Sequence, residues 1–242
     1  MKSPNSTPSK SIARRGFLCG VGAATAAGFG LLRPAPASAA TYTLTLGDIP
    51  GTGDVQVLNY ALALEALETD LYIQSYMRLT YGGTNGVGVD IPGLGFAQDE
   101  PDVIYVKEFA NVEKQHRDFI DDGLGDASIL RSRRFQGVGF DFGIETLSRQ
   151  EVLALLYTAE SAGVAAYLGA IPFLSTKTYL QTAAAIQGTE ARHTATIALL
   201  QNMLFGTSIP VAPLATTNNG IDASATPNAT LAAVSPFFVF PS

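Results

Sequence analysis

The chain has 242 residues, 47% of them apolar and 15% charged, with one cysteine, two histidines and no tryptophan. That composition can bury one sizeable core and excludes both a disordered chain and a disulfide-stapled miniprotein. Of the 15 basic and 21 acidic residues, the first 39 positions hold five basic ones (Lys2, Lys10, Arg14, Arg15, Arg33) and no acidic one, so the remainder carries a net −11 and offers no basic patch for a nucleic-acid backbone.

Residues 1–39 begin polar and basic, continue through a weakly apolar Gly/Ala-rich stretch from Gly16 to Leu32, and end in Ala37-Ser38-Ala39. This is the layout of an export signal with a signal-peptidase site. Arg14-Arg15 followed by Gly16-Phe17-Leu18 resembles the twin-arginine consensus, which implies passage through the twin-arginine export machinery after folding and a periplasmic or extracellular destination. Cleavage would remove Cys19, leaving no thiol for a disulfide or a cysteine-based metal site. Beyond the signal, no apolar run approaches the roughly 20 residues of a membrane-spanning helix.

After a linker at 40–53, four segments carry helical periodicity. Segment A is expected from about Asp54, as N-cap, to about Thr80, with Leu58, Leu62, Leu64, Leu67 and Leu71 as its apolar faces. Segment B starts near Pro101 and stops at Gly123. Segment C opens on the capping-box spacing of Ser148 and Glu151 and closes before Pro172, and segment D runs from Ser175 or Thr176 to Gly206. The C-to-D link is short, whereas 124–147 is long enough to run the length of a bundle. These segments predict an all-α four-helix bundle over 54–206, with the long crossover between the second and third helices. A Pro-rich tail, 207–242, ends in Pro236-Phe237-Phe238-Val239-Phe240, aromatics expected to pack on the bundle as a strap.

Both histidines fall in Glu-x-x-His: Glu113 with His116 in B, and Glu190 with His193 in D. With nine glutamates in the chain, chance placement would give this on the order of once in a thousand sequences. Residues three apart share a helix face, so each motif aims one carboxylate and one imidazole at the same place. Segments A and C each offer a glutamate followed seven residues later by a tyrosine, Glu65 with Tyr72 and Glu160 with Tyr167. Shifting A by 95 residues superposes these pairs, and shifting B by 77 superposes the Glu-x-x-His motifs, so the chain reads as a duplicated helical hairpin. The neighbours of the four glutamates at helical spacing are apolar, so all four are expected to point inward. Glu68 competes with Glu65, one turn away, but lacks the Glu-to-Tyr spacing of segment C. Four buried carboxylates lose hydration worth several kcal/mol each and repel one another, and two divalent ions would match their charge.

Segments A to D thus resemble the ferritin-like superfamily, and the run from Leu58 to Glu68 (LNYALALEALE) is similar to the exported ferritin-like domain of the desiccation-related protein family. The resemblance covers about residues 50–206. It implies two iron or two manganese ions held by Glu65, Glu113, His116, Glu160, Glu190 and His193, with Glu113 and Glu190 bridging and each histidine on one ion. Tyr72 and Tyr167 would hydrogen-bond ligating carboxylates. The implied function is handling of peroxide or oxygen, or oxidation of ferrous iron, in the cell envelope under stress. The alternative is a non-catalytic metal-binding or structural stress protein. A homo-oligomer is compatible with the sequence, although nothing in the A-to-B loop or the tail marks a cage-forming surface.

Overall fold

The computed structural model describes residues 42–241; the export signal expected over 1–39 lies outside them. Among the described residues the fold is all-α, with α1 (Asp54–Leu79), α2 (Pro101–Leu124), α3 (Arg149–Ala170) and α4 (Lys177–Phe205) as the long helices and α5 (Ala215–Asn218) and α6 (Pro227–Val234) in the tail. Two short antiparallel pairs complete it: β1 (Gly83–Thr84) with β2 (Asp90–Ile91), and β3 (Gly139–Phe140) with β4 (Phe238–Val239).

The helix ends follow local chemistry, with two differences from the sequence reading. Ser148 and Glu151 form the expected capping box of α3. Helix α2 runs through Gly123 and stops at Gly125, whose φ of +52° is the left-handed conformation that glycine tolerates and that breaks the helical ladder. Asp54 is the first helical residue of α1 rather than its cap. Its carboxylate reaches across the bundle end to accept from the Ser175 and Thr176 backbone amides, at 2.7 and 3.0 Å. It therefore satisfies free donors at the start of α4, where a negative charge also suits the helix dipole.

Helices α1 and α2 pack as one hairpin and α3 and α4 as another, joined mainly by α1 against α3. Both hairpins are antiparallel: Tyr72, late in α1, meets Phe109, early in α2, edge to face at 6.2 Å, and Gln201, late in α4, lies on Leu153, early in α3. The interface is filled by Leu62, Leu71, Leu153, Leu156 and Ile197, all essentially inaccessible to water. The Arg149–Phe173 stretch is long and apolar enough by composition to cross a membrane, a property the sequence reading missed. Yet 61% of its most apolar window is buried inside the protein, which marks a core helix.

The crossover from α2 to α3 is pinned at both ends. Buried Asn59 on α1 donates to the carbonyls of Pro50 and Ala127 and accepts from the Ile129 amide at 2.7 Å. Farther along, β3 pairs with β4 of the tail, and Phe140 and Phe142 pack on Phe238 and Phe237. The tail also lies on α3, where the Ala225 amide donates to the Ala165 carbonyl at 2.9 Å. A Cβ on Gly169 would sit 1.6 Å from the Ala225 carbonyl oxygen, so only glycine admits this contact.

Arg149 ties α3 to the start of α2. It grips fully buried Asp102 with two hydrogen bonds of 2.7 and 2.5 Å, reaches Glu100 at 3.0 Å and lies 4.2 Å from the Phe96 ring centre. Arg149→Ala strands the Asp102 carboxylate and is expected to cost about 3–5 kcal/mol in urea denaturation. Adding Asp102→Asn should recover part of that loss. Equal losses in the single and double variants would show that the charge pairing is not what Arg149 contributes.

Candidate metal centre

Each long helix delivers one glutamate to the middle of the bundle, and Glu65, Glu113, Glu160 and Glu190 all have no exposed surface. The two histidines arrive on the same faces as Glu113 and Glu190, with Nδ1 turned inward. His116 Nδ1 lies 3.1 Å from Glu113, 3.4 Å from Glu65 and 3.4 Å from Glu190. His193 Nδ1 lies 2.7 Å from Glu113 and 3.2 Å from Glu160. The Tyr72 hydroxyl donates to Glu160 and the Tyr167 hydroxyl to Glu65, so each tyrosine holds the glutamate of the opposite hairpin.

The donors sort into two sets related by the duplication. In one set, atoms of Glu65, Glu113, His116 and Glu190 all lie within 4.8 Å of one another; in the other, atoms of Glu113, Glu160, Glu190 and His193 do so. Glu113 and Glu190 belong to both. All eight residues singled out from the sequence are thus brought to one place.

The electrostatics leave the carboxylates short of positive charge. Burial first, and then the Glu190 and Glu113 charges, push Glu65 up to about 8 despite its contact with His116. Burial and neighbouring carboxylates hold Glu160 and Glu190 well above the usual range. Burial works against an ionised Glu113 as well, but His116 and His193 outweigh it and bring this group down to about 2. His116 shows the other side of that pairing: burial disfavours its charge, yet Glu113, Glu190 and Glu65 raise it to about 12. Both oxygens of Glu190 and one each of Glu65, Glu113 and Glu160 are buried without a well-aligned hydrogen bond. Orphaned oxygens that converge with two imidazole nitrogens fit a divalent cation better than they fit one another.

Sequence reasoning undercounted the carboxylates. Glu68 is also inside, 4% exposed, with burial and the charges of Glu190 and Glu160 holding it well above the usual range. Its three-residue spacing from Glu65, read as rivalry, also places both on one face.

The cluster comes nearest to water at His116. The His116 side chain, 14% exposed, lies in the floor of a depression of about 370 Å3 between α2 and α4, rimmed by Gln115, Gln181, Thr182 and Thr189. His193 is shut off by Phe109, stacked on its ring at 3.9 Å. An adjoining apolar cavity of about 290 Å3, lined by Leu64, Ala166, Ile186 and others, reaches Tyr167 but none of the clustered glutamates. Its position against the His116 imidazole favours the depression as the route for ions and small polar molecules.

No curated protein and no solved structure matches this chain. The model of one family, the ferritin-like domain, matches residues 53–203, the span of the four long helices and every donor of the centre. On that match and the all-α hairpin pair beneath it, the chain belongs to the ferritin-like domain family.

Proposed function

We propose that this is an exported protein whose bundle holds two iron or two manganese ions, one in each donor set, and that it handles peroxide or oxygen or oxidises ferrous iron under stress. The observation that carries the reading is the pair of donor sets that share Glu113 and Glu190. With all four of these glutamates ionised, two divalent ions match their charge. Imidazole with carboxylate suits iron or manganese. Two such ions side by side would supply paired redox chemistry toward a small oxidant.

The protein's own groups have distinct tasks in this reading. Glu113 and Glu190, common to both donor sets, would be shared between the two ions, Glu65 with His116 and Glu160 with His193 would each hold one, and Tyr72 and Tyr167 would orient the Glu160 and Glu65 carboxylates. The apolar walls and Phe109 keep the centre dry, and His116 stands at the opening. Export rests on the basic start, Arg14-Arg15 and the Ala37-Ser38-Ala39 site. A route for folded cargo would let the ions be loaded before export.

Anaerobic purification from the native compartment followed by metal analysis tests the reading. About two ions of iron or manganese per chain are expected, and fewer than one overturns it. Peroxide consumption or ferrous oxidation by the loaded protein, lost in His193→Ala, is expected of an enzyme. Two bound ions without turnover would instead assign the protein a binding or structural role.

A further inference from the structure

The duplicated halves differ where Glu68 stands. The 95-residue shift that carries Glu65 onto Glu160 and Tyr72 onto Tyr167 carries Glu68 onto Gly163. One half therefore has a carboxylate where the other has no side chain at all. The two positions face each other across the α1–α3 interface, and a Cβ on Gly163 would lie 3.0 Å from Glu68 Oε1 and 3.0 Å from Glu190 Oε2. Glycine in the middle of a helix costs about 1 kcal/mol relative to alanine. Here it clears the space that lets the Glu68 and Glu190 carboxylates approach one another.

The immediate pocket of Glu68 offers its carboxylate no counter-charge. Its small pocket is lined by Leu64, Leu67, Ala159, Ala162 and, from α6, Thr230 and Val234, with no lysine, arginine or histidine among them. Glu68 Oε2 is buried without a hydrogen-bond partner. Gly163, against which Glu68 lies, stands one turn from Glu160 on the same face of α3. Glu190 and Glu160 belong together to the donor set of His193.

We propose that Glu68 is a fifth carboxylate ligand of the centre, serving the ion held by Glu160 and His193, with Gly163 as the clearance that admits it. The inference rests on the two-ion reading above and deepens it, because it makes the two ions inequivalent. Four carboxylates balance two divalent ions; a fifth adds one negative charge to one side and favours the more oxidised state of the ion there.

Anaerobic titration of the full chain with Mn(II), followed by calorimetry and electron paramagnetic resonance, tests this against Glu68→Gln and Gly163→Ala. The wild type is expected to take up two Mn(II). In Glu68→Gln one ion should keep its affinity and the other should weaken about tenfold or more. Gly163→Ala, which retains every carboxylate but fills the clearance, should weaken the same ion and serves if Glu68→Gln folds poorly. Two ions bound with wild-type affinities and spectra in both variants would overturn the proposal, as would equal weakening of both ions. A wild type that binds no Mn(II), iron or other divalent ion would instead refute the two-ion reading beneath it.

Discussion

Glutamine at position 190 is expected to remove both ions while leaving the metal-free fold intact. Glu190 belongs to both donor sets and has no exposed surface. Burial, with the charges of Glu113 and Glu160 behind it, raises its carboxyl well above the usual range in the metal-free protein and so favours the neutral form. An amide of nearly the same shape resembles that form, so the metal-free melting temperature should stay close to the wild-type value or rise. With the ions the outcome reverses. Each bound ion stabilises the fold by about 2.7 kcal/mol at a hundredfold excess over its Kd, and a missing bridge should abolish that gain for both. Glu113→Gln provides the contrast, since Glu113 is the ionised member, held between His116 and His193. Its loss should cost about 3 kcal/mol even without metal, because it takes from the charged His116 imidazole its nearest carboxylate. Calorimetry with chelator and with excess Mn(II) separates the cases. A metal-free Glu190→Gln that melts as far below wild type as metal-free Glu113→Gln would show that Glu190 is a structural group rather than a bridging one.

Most of this centre is legible in the sequence because helical spacing is short-range. Glu-x-x-His sets its own geometry within one turn, and the Glu-to-Tyr spacing survives because seven residues return to nearly the same face. What that spacing cannot show is what stands across an interface. Glu68 becomes a buried neighbour of Glu190 only because Gly163 arrives opposite it, and a glycine has no pattern of its own. Asp54 has the composition of a cap, but the amides it accepts from, those of Ser175 and Thr176, lie 121 and 122 residues later, just ahead of α4. The pairing of β3 with β4 links two-residue strands about a hundred positions apart, below the length at which alternation registers. The aromatic end of the tail suggests a buried contact; its partner, Phe140 and Phe142 of the crossover, follows from the three-dimensional path alone.

The metal-free protein should lose stability as pH rises from about 5 to 8, while the metal-loaded protein should not. Glu65 ionises near 4.5 in the unfolded chain and at about 8 in the fold, so across that window the native state holds a proton that the unfolded state has released. Stability then falls with rising pH, by on the order of 5 kcal/mol for this one group. Glu68, Glu160 and Glu190 are raised in the same direction and add to the slope. His116, raised from 6.5 to about 12, contributes stability that is complete below 6.5 and drains away as pH climbs toward its folded value. Glu113 acts at the other end: lowered to about 2, it contributes above 4.5 and is lost as pH falls through 2. The metal-free optimum therefore lies well on the acid side of neutrality, near pH 4.5. Bound ions displace the protons on these carboxylates, so apparent metal affinity must rise with pH over the window in which the metal-free fold weakens. The melting temperatures of loaded and chelator-treated protein should diverge steadily from pH 5 to 8. Parallel curves would show that cations and protons do not compete for the same carboxylates, and with that the charge argument for metal in this bundle would fail.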